Sequence, residues 1–80
     1  MTVNKKILIY GAEEYIGKLF VDLLVSKGVR PILAGKDKRL IKTGKKNQCE
    51  VRLFAPEDST EYLQDVDIVI NLADDYELTQ

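Results

Sequence analysis

The hydrophobic pattern changes its period several times along the chain, and each change marks an element. Ile7-Leu8-Ile9-Tyr10 is an unbroken apolar run between Lys6 and Gly11. A run of this length and composition reads as a strand buried on both faces. From Tyr15 the spacing becomes helical, with Ile16, Leu19, Phe20, Leu23, Leu24 and Lys27 in step and Gly28 as a C′ stop. This predicts a first strand over residues 6–10 and a first helix over 13–27. Arg30-Pro31-Ile32-Leu33-Ala34 predicts a second strand, with Pro31 near its start, where a missing N–H is tolerated. Asp37 caps a short second helix over Lys38–Thr43 that Gly44 stops, with Leu40 and Ile41 as its apolar face. Glu50-Val51-Arg52-Leu53-Phe54 alternates and predicts a third strand. Asp58 and Glu61 have capping-box spacing for a third helix that buries Tyr62 and Leu63. Val66 to Leu72 predicts a fourth strand, apolar on both faces, and a final helical turn is expected around Tyr76 and Leu78.

Strands alternating with helices predict an α/β fold, a four-stranded parallel sheet whose three helical crossovers are right-handed. A Rossmann-like half has spatial order 3-2-1-4, with its ligand crevice between strands 1 and 4. The flavodoxin-like order 2-1-3-4 is the alternative. Its receiver-type form needs clustered acids at the end of strand 1, where Tyr10 and Gly11 stand instead.

Composition narrows the class. Eighty residues make a single small domain, near the lower limit for a core without metals or disulfides. The net charge of −1 gives no general attraction to nucleic acid or anionic membrane, so neither is expected as a partner. Cys49 is the only cysteine and histidine is absent, which excludes an internal disulfide, disfavours a metal site and fits a reducing, cytoplasmic setting. No signal peptide is expected, because Asn4, Lys5 and Lys6 precede only a short apolar run, and no run reaches membrane-spanning length. Charge is unevenly spread, with six of the 12 basic residues between Lys36 and Lys46 and none after Arg52. Acids follow there instead, from Glu57 to Glu77, so the middle and the tail carry opposite fields. That asymmetry could steer an anion to the basic stretch, or simply mark two solvated surfaces.

Three motifs then make a resemblance specific. Ile7 to Gly17 resembles the signature of saccharopine-dehydrogenase-like and atypical short-chain reductases, a strand followed by Gly-Ala-Thr-Gly-Tyr-Ile/Thr-Gly. Leu33-Ala34-Gly35-Lys36-Asp37 resembles the Leu-Ala-Gly-Arg-Asp/Asn after their second strand. Val66 to Ala73 resembles the Val-Asp-Val-Val-Ile-Asn-Cys/Leu-Ala of their fourth. The similarity covers nearly the whole chain, as the first half of an NAD(P)-binding domain. It implies that Gly11 makes the turn, that Gly17 lets the helix pack on the strand, and that Lys36 stands where an arginine meets the 2′-phosphate of NADP. These three are the residual cofactor-binding candidates.

The departures from the family pattern are acidic. Glu14 replaces the glycine that lets backbone approach the pyrophosphate, adding a Cβ where a special backbone conformation is expected. Glu13 adds a second charge beside it, and Asp74 replaces a glycine at the other wall of the crevice. In the first turn of the helix, Glu13 and Glu14 would supply internally the negative charge that a phosphate otherwise brings. No cofactor is therefore expected, and NADP rather than NAD if any binds. Catalysis is not expected of the isolated chain: it has no histidine, no serine–base arrangement and no Tyr-x-x-x-Lys dyad, Leu19 standing four residues after Tyr15. The expectation is a truncated, engineered half-domain, with a weak NADP-binding module and an interaction module as alternatives. The last of these would act through Ile68, Val69 and Ile70, an apolar edge that opens the way to a homodimer through strand 4.

Overall fold

The alternation of strand and helix is realised throughout. The elements are β1 (Ile7–Tyr10), α1 (Tyr15–Ser26), β2 (Ile32–Gly35), α2 (Leu40–Asn47), β3 (Val51–Leu53), a 3-10 turn (Pro56–Asp58) leading into α3 (Ser59–Tyr62), and β4 (Ile68–Asn71). They come from a computed structural model that describes residues 5–72. The strands form one sheet in the order β3-β2-β1-β4, and every pairing is parallel. This is the expected Rossmann-like order, not the flavodoxin-like alternative. Leu8 stands between Ile32 and Val69 in register, and Tyr10 between Ala34 and Asn71.

Alternation along the central strands divides the core into two layers. Leu8, Tyr10, Ile32 and Ala34 meet Phe54 and Leu63 under α3, while Ile9 and Leu33 meet Ala12, Val21 and Leu40 under α1 and α2. Both faces of β1 and β2 are covered, which is why their sequence is apolar without a break. Tyr10 is the one central strand residue with a polar tip. Its hydroxyl donates to the Phe54 carbonyl at 2.9 Å, so the ring is buried without an orphaned donor. Phe54 in turn stacks on Tyr62 with ring centroids 4.7 Å apart.

Several boundaries and faces differ from the sequence reading. The first helix begins at Tyr15, not at residue 13, and Gly28 follows its Lys27 C-cap as expected. Gly17, Val21, Phe20, Leu24 and Val25 turn inward, whereas Ile16, Leu19 and Leu23 are 56%, 50% and 51% exposed. The apolar stripe is wider than the strip of sheet available to it.

The second helix runs through Gly44 to Asn47, where the sequence reading had Gly44 end it. Gly44 is needed there for packing: a Cβ would collide with the Val51 side chain and lie 2.9 Å from the Cys49 carbonyl oxygen. Gln48, in the left-handed conformation at φ 58°, ends the helix instead. At its start, Asp37 is a turn former ahead of the helix rather than its cap, accepting the Arg39 N–H at 2.9 Å. Asp58 does stand at the N-cap of α3, but its side chain makes no capping bond. Leu63 is buried as expected, and Tyr62 keeps one side in solvent. The helical turn around Tyr76 and Leu78, and Asp74 with it, lie outside the described residues.

Candidate functional site

The turn after β1 is built by two glycines. Gly11 reverses the chain at φ 86°, a conformation costly for any residue with a Cβ. The β1–β2 register then places the Gly11 and Ala12 N–H groups on the Ala34 carbonyl, at 2.9 and 3.2 Å. The Glu14 N–H closes the turn on the Gly11 carbonyl at 2.9 Å. α1 comes down onto this turn at Gly17, where a Cβ would collide with the Gly11 carbonyl oxygen and sit 2.9 Å from Ala12 Cα. The structure thus brings Gly11 and Gly17 together in one turn.

The two glutamates do not sit as expected. Glu14 is the N-cap of α1 at φ −75°, ψ 161°, ordinary extended backbone that accepts a Cβ without strain, and its side chain makes no capping bond. The first turn of α1 contains no acid, so neither carboxylate lies inside the helix. Glu13 turns the other way, towards the C-terminal end of β2. Its Oε2 accepts the Lys36 N–H at 3.3 Å, and the carboxylate lies against Gly35 so closely that a Cβ there would collide with it. Glu13 Oε1 is buried without a hydrogen-bond partner. A carboxylate therefore fills the space between the β1 turn and the end of β2.

Around it the charges are mixed. The Arg39 guanidinium binds Asp37, which raises its pKa, and the fields of Glu13 and Glu14 add to the effect. The same hydrogen bond holds the Asp37 carboxyl below the usual carboxylate range, with a smaller contribution from Lys18. Arg39 thus faces acids of the same mouth, Asp37 by direct hydrogen bonds and Glu13 and Glu14 through their fields. Lys36 also lines, with Lys38, Leu53, Phe54 and Ala55, an open cavity of about 350 Å³ at the ends of β2 and β3. Among the described residues no His, Cys, Asp and Glu side chains converge to hold a metal ion, and no helix is long and apolar enough to cross a membrane.

Gly35 is the site residue that sequence reasoning missed, while Arg39 lies in the basic stretch already read as a possible anion-steering surface. A glycine at the very end of a central strand, opposite the glycine turn of its neighbour, is a signal of close approach that could have singled out Gly35. Nothing in the sequence distinguishes Arg39 from the other basic residues of its segment.

No family model, curated protein or solved structure matches this chain. The resemblance to the reductases therefore rests on the three motifs and their order.

Proposed function

We propose that the chain is a non-catalytic Rossmann-like half-domain, related to NAD(P)-dependent reductases, in which Glu13 occupies the space of the cofactor's phosphates. One observation supports this above the others: the Glu13 carboxylate lies on Gly35 and on the Lys36 N–H. A dinucleotide entering here would have to displace that carboxylate and then bind beside it and Glu14. Each such like-charge pairing at 4–6 Å costs on the order of 1 kcal/mol even in high dielectric. The Gly11, Ala12 and Glu14 N–H groups are already bonded within the protein, so the turn has fewer donors to offer an anion. A reducing, cytoplasmic setting suits the lone Cys49, whose thiol burial pushes to a higher pKa and lower reactivity.

A second reading, a weak NADP-binding module, is favoured by the cavity that Lys36 and Lys38 share. Lysines there would meet a 2′-phosphate as point charges without the planar fork of arginine.

One titration distinguishes the readings. With NADP at about 1 mM, a concentration at which even weak sites fill, no saturable amide shift is expected at Gly11, Gly17 or Lys36. Glu13→Thr combined with Glu14→Gly removes both carboxylates and should create such a shift. A saturable response at Gly11 and Gly17 in the unaltered chain overturns the proposal. A response confined to Lys36, Lys38 and Ala55 favours the second reading. Silence in the double variant as well would mean that the glutamates are not what closes the site.

A further inference from the structure

We infer that the flank of α1 nearest β4, together with the free edge of β4, is the contact surface for a second copy of this chain. Two copies would pair their β4 strands antiparallel about a two-fold axis, making one continuous sheet roofed on one side by both α1 helices. This inference is independent of whether the turn after β1 admits a dinucleotide.

The orientation of α1 places the surface. Lys18, Val21 and Asp22 share a cleft with Thr43, Lys46 and Asn47 of α2, so that flank of α1 looks towards β2 and β3. Ile16, Leu19 and Leu23 fall on the opposite flank by helical period, and β4 is the strand on that side of β1. Because Gly17 rests on the Gly11 turn, α1 runs antiparallel to β1. Ile16 therefore stands at the level of Leu72, and Leu23 near the level of Ile68. On β4 the side chains of Ile68, Ile70 and Leu72 face the same layer, and Ile68 is 41% exposed. On the α3 face Phe54 and Leu63 are buried, and only Val66 and Val69 of the core there stay partly open, beside a small cavity next to α3.

Among the described residues nothing pairs with the outer edge of β4. Ile68-Val69-Ile70-Asn71 contains no proline, glycine or charge, the usual means of blunting an edge strand. The Ile68 and Leu72 N–H groups bond inward to the Lys6 and Tyr10 carbonyls at 3.1 and 2.9 Å. By alternation the main chain of Val69 faces outward, available to a further strand. The acids that lead into β4 are engaged within the molecule: Asp67 accepts the Lys6 N–H at 2.8 Å, and Asp65 is held by Lys6 and Arg52. Neither acid is therefore a free charge at this edge.

Area and charge choose the occupant. Ile16, Leu19, Leu23 and Ile68 are each about half exposed, an open patch on the order of a few hundred Å² per copy, sizeable for any monomer. Two such patches with the paired edges reach the roughly 1,000 Å² expected of a specific interface. The open side chains are apolar and Lys27 at the end of α1 is the one charge in step with them, so the patch suits an apolar partner better than a strongly charged one. It is also compatible with its own image, as a two-fold contact requires. An interface at this lower size limit implies a weak dimer.

Sedimentation of the full chain across roughly 10 μM to 1 mM, the range of a weak complex, tests this directly. Mass should rise from one copy towards two. Leu19→Lys with Leu23→Lys, and separately Ile68→Lys, should each weaken association by at least about tenfold, or 1.4 kcal/mol. Leu19 and Leu23 lie on the helix surface, so circular dichroism should show their variant folded. Val69 is a poorer probe, because its side chain packs against the α3-face core. A monomer at every concentration overturns the inference, and so does a dimer that both variants leave intact. A monomer that dimerises only when Tyr76 and Leu78 are replaced by serine also overturns it, assigning the surface to residues 73–80.

Discussion

Gly17 and Gly35 look alike in one respect, since neither leaves room for a Cβ, yet the obstacles differ in kind. At Gly17 the obstacle is backbone, the Gly11 carbonyl oxygen and Ala12 Cα. Neither can move without shifting α1 off β1. Gly17→Ala should therefore lower stability by about 1–3 kcal/mol, the usual cost of forcing a group into a packed contact. At Gly35 the obstacle is the end of a flexible side chain, the Glu13 carboxylate. Displaced into water, that carboxylate gives up its long hydrogen bond from the exposed Lys36 N–H, which water can replace, and exchanges a buried, unpartnered oxygen for a hydrated one. The alanine also restricts the unfolded chain, worth about 0.4–1 kcal/mol. Gly35→Ala should thus leave stability unchanged or raise it by up to about 1 kcal/mol. Urea midpoints of the two variants make the comparison. A loss at Gly35 as large as that at Gly17 would mean that Glu13 is held in place by the fold and does not merely rest there.

At the scale of elements, α2 shows how a local signal can be overridden. Its glycine reads as a stop, but packing against Val51 and Cys49 keeps Gly44 inside the helix, and termination passes to Gln48. A left-handed Gln costs more than a glycine would there. Gln48→Gly should stabilise the chain by about 0.5–1 kcal/mol, net of the glycine's own entropy. An unchanged thermal midpoint would place the strain elsewhere. The strands were legible because long apolar runs and alternation are local properties. Crossover handedness allows both 3-2-1-4 and 2-1-3-4, and the first was expected because Tyr10 and Gly11 stand where a receiver-type sheet needs acids. The turn of Gly11 and Gly17 was legible as fixed spacing within one strand–turn–helix unit. The course of Glu13 was not. It depends on the register that sets Tyr10 beside Ala34, and on the absence of a side chain at Gly35, neither of which hydrophobic period reports. Likewise the period of α1 identifies an apolar stripe, but only the position of β4 decides which part of the stripe stays open.

Across the whole molecule, the polar ties of the long crossover from Phe54 to Asp67 centre on one carboxylate, Asp65, beside the packing of Phe54 and Leu63. Arg52 on β3 donates to both oxygens of Asp65, at 2.7 and 2.9 Å, and to the Tyr62 carbonyl at 2.8 Å. Lys6, at the start of β1, reaches Asp65 at 3.0 Å. Sheet edge, crossover and central strand are thereby joined at one point. The Arg52 hydrogen bonds, and then that of Lys6, hold the Asp65 carboxyl far below its ordinary value of 3.8. Asp65 in turn is the main cause of the raised pKa of Arg52. The unfolded chain takes up this proton first as pH falls, so it binds more protons than the folded chain in that window. Stability from Asp65 is therefore complete above the ordinary carboxylate range and is lost as pH falls through the folded value. Urea midpoints measured from neutral pH down into this acid range should decline. Asp65→Asn should be less stable at neutral pH and decline less, the two curves drawing together at the acid end. The carboxylate is half exposed, so added salt should narrow the gap at neutral pH. Arg52→Lys should behave in between, since lysine keeps the charge but cannot grip both oxygens in one plane. An Asp65→Asn curve parallel to that of the unaltered chain would assign the acid sensitivity to other carboxylates and leave the crossover held by Phe54, Leu63 and their packing alone.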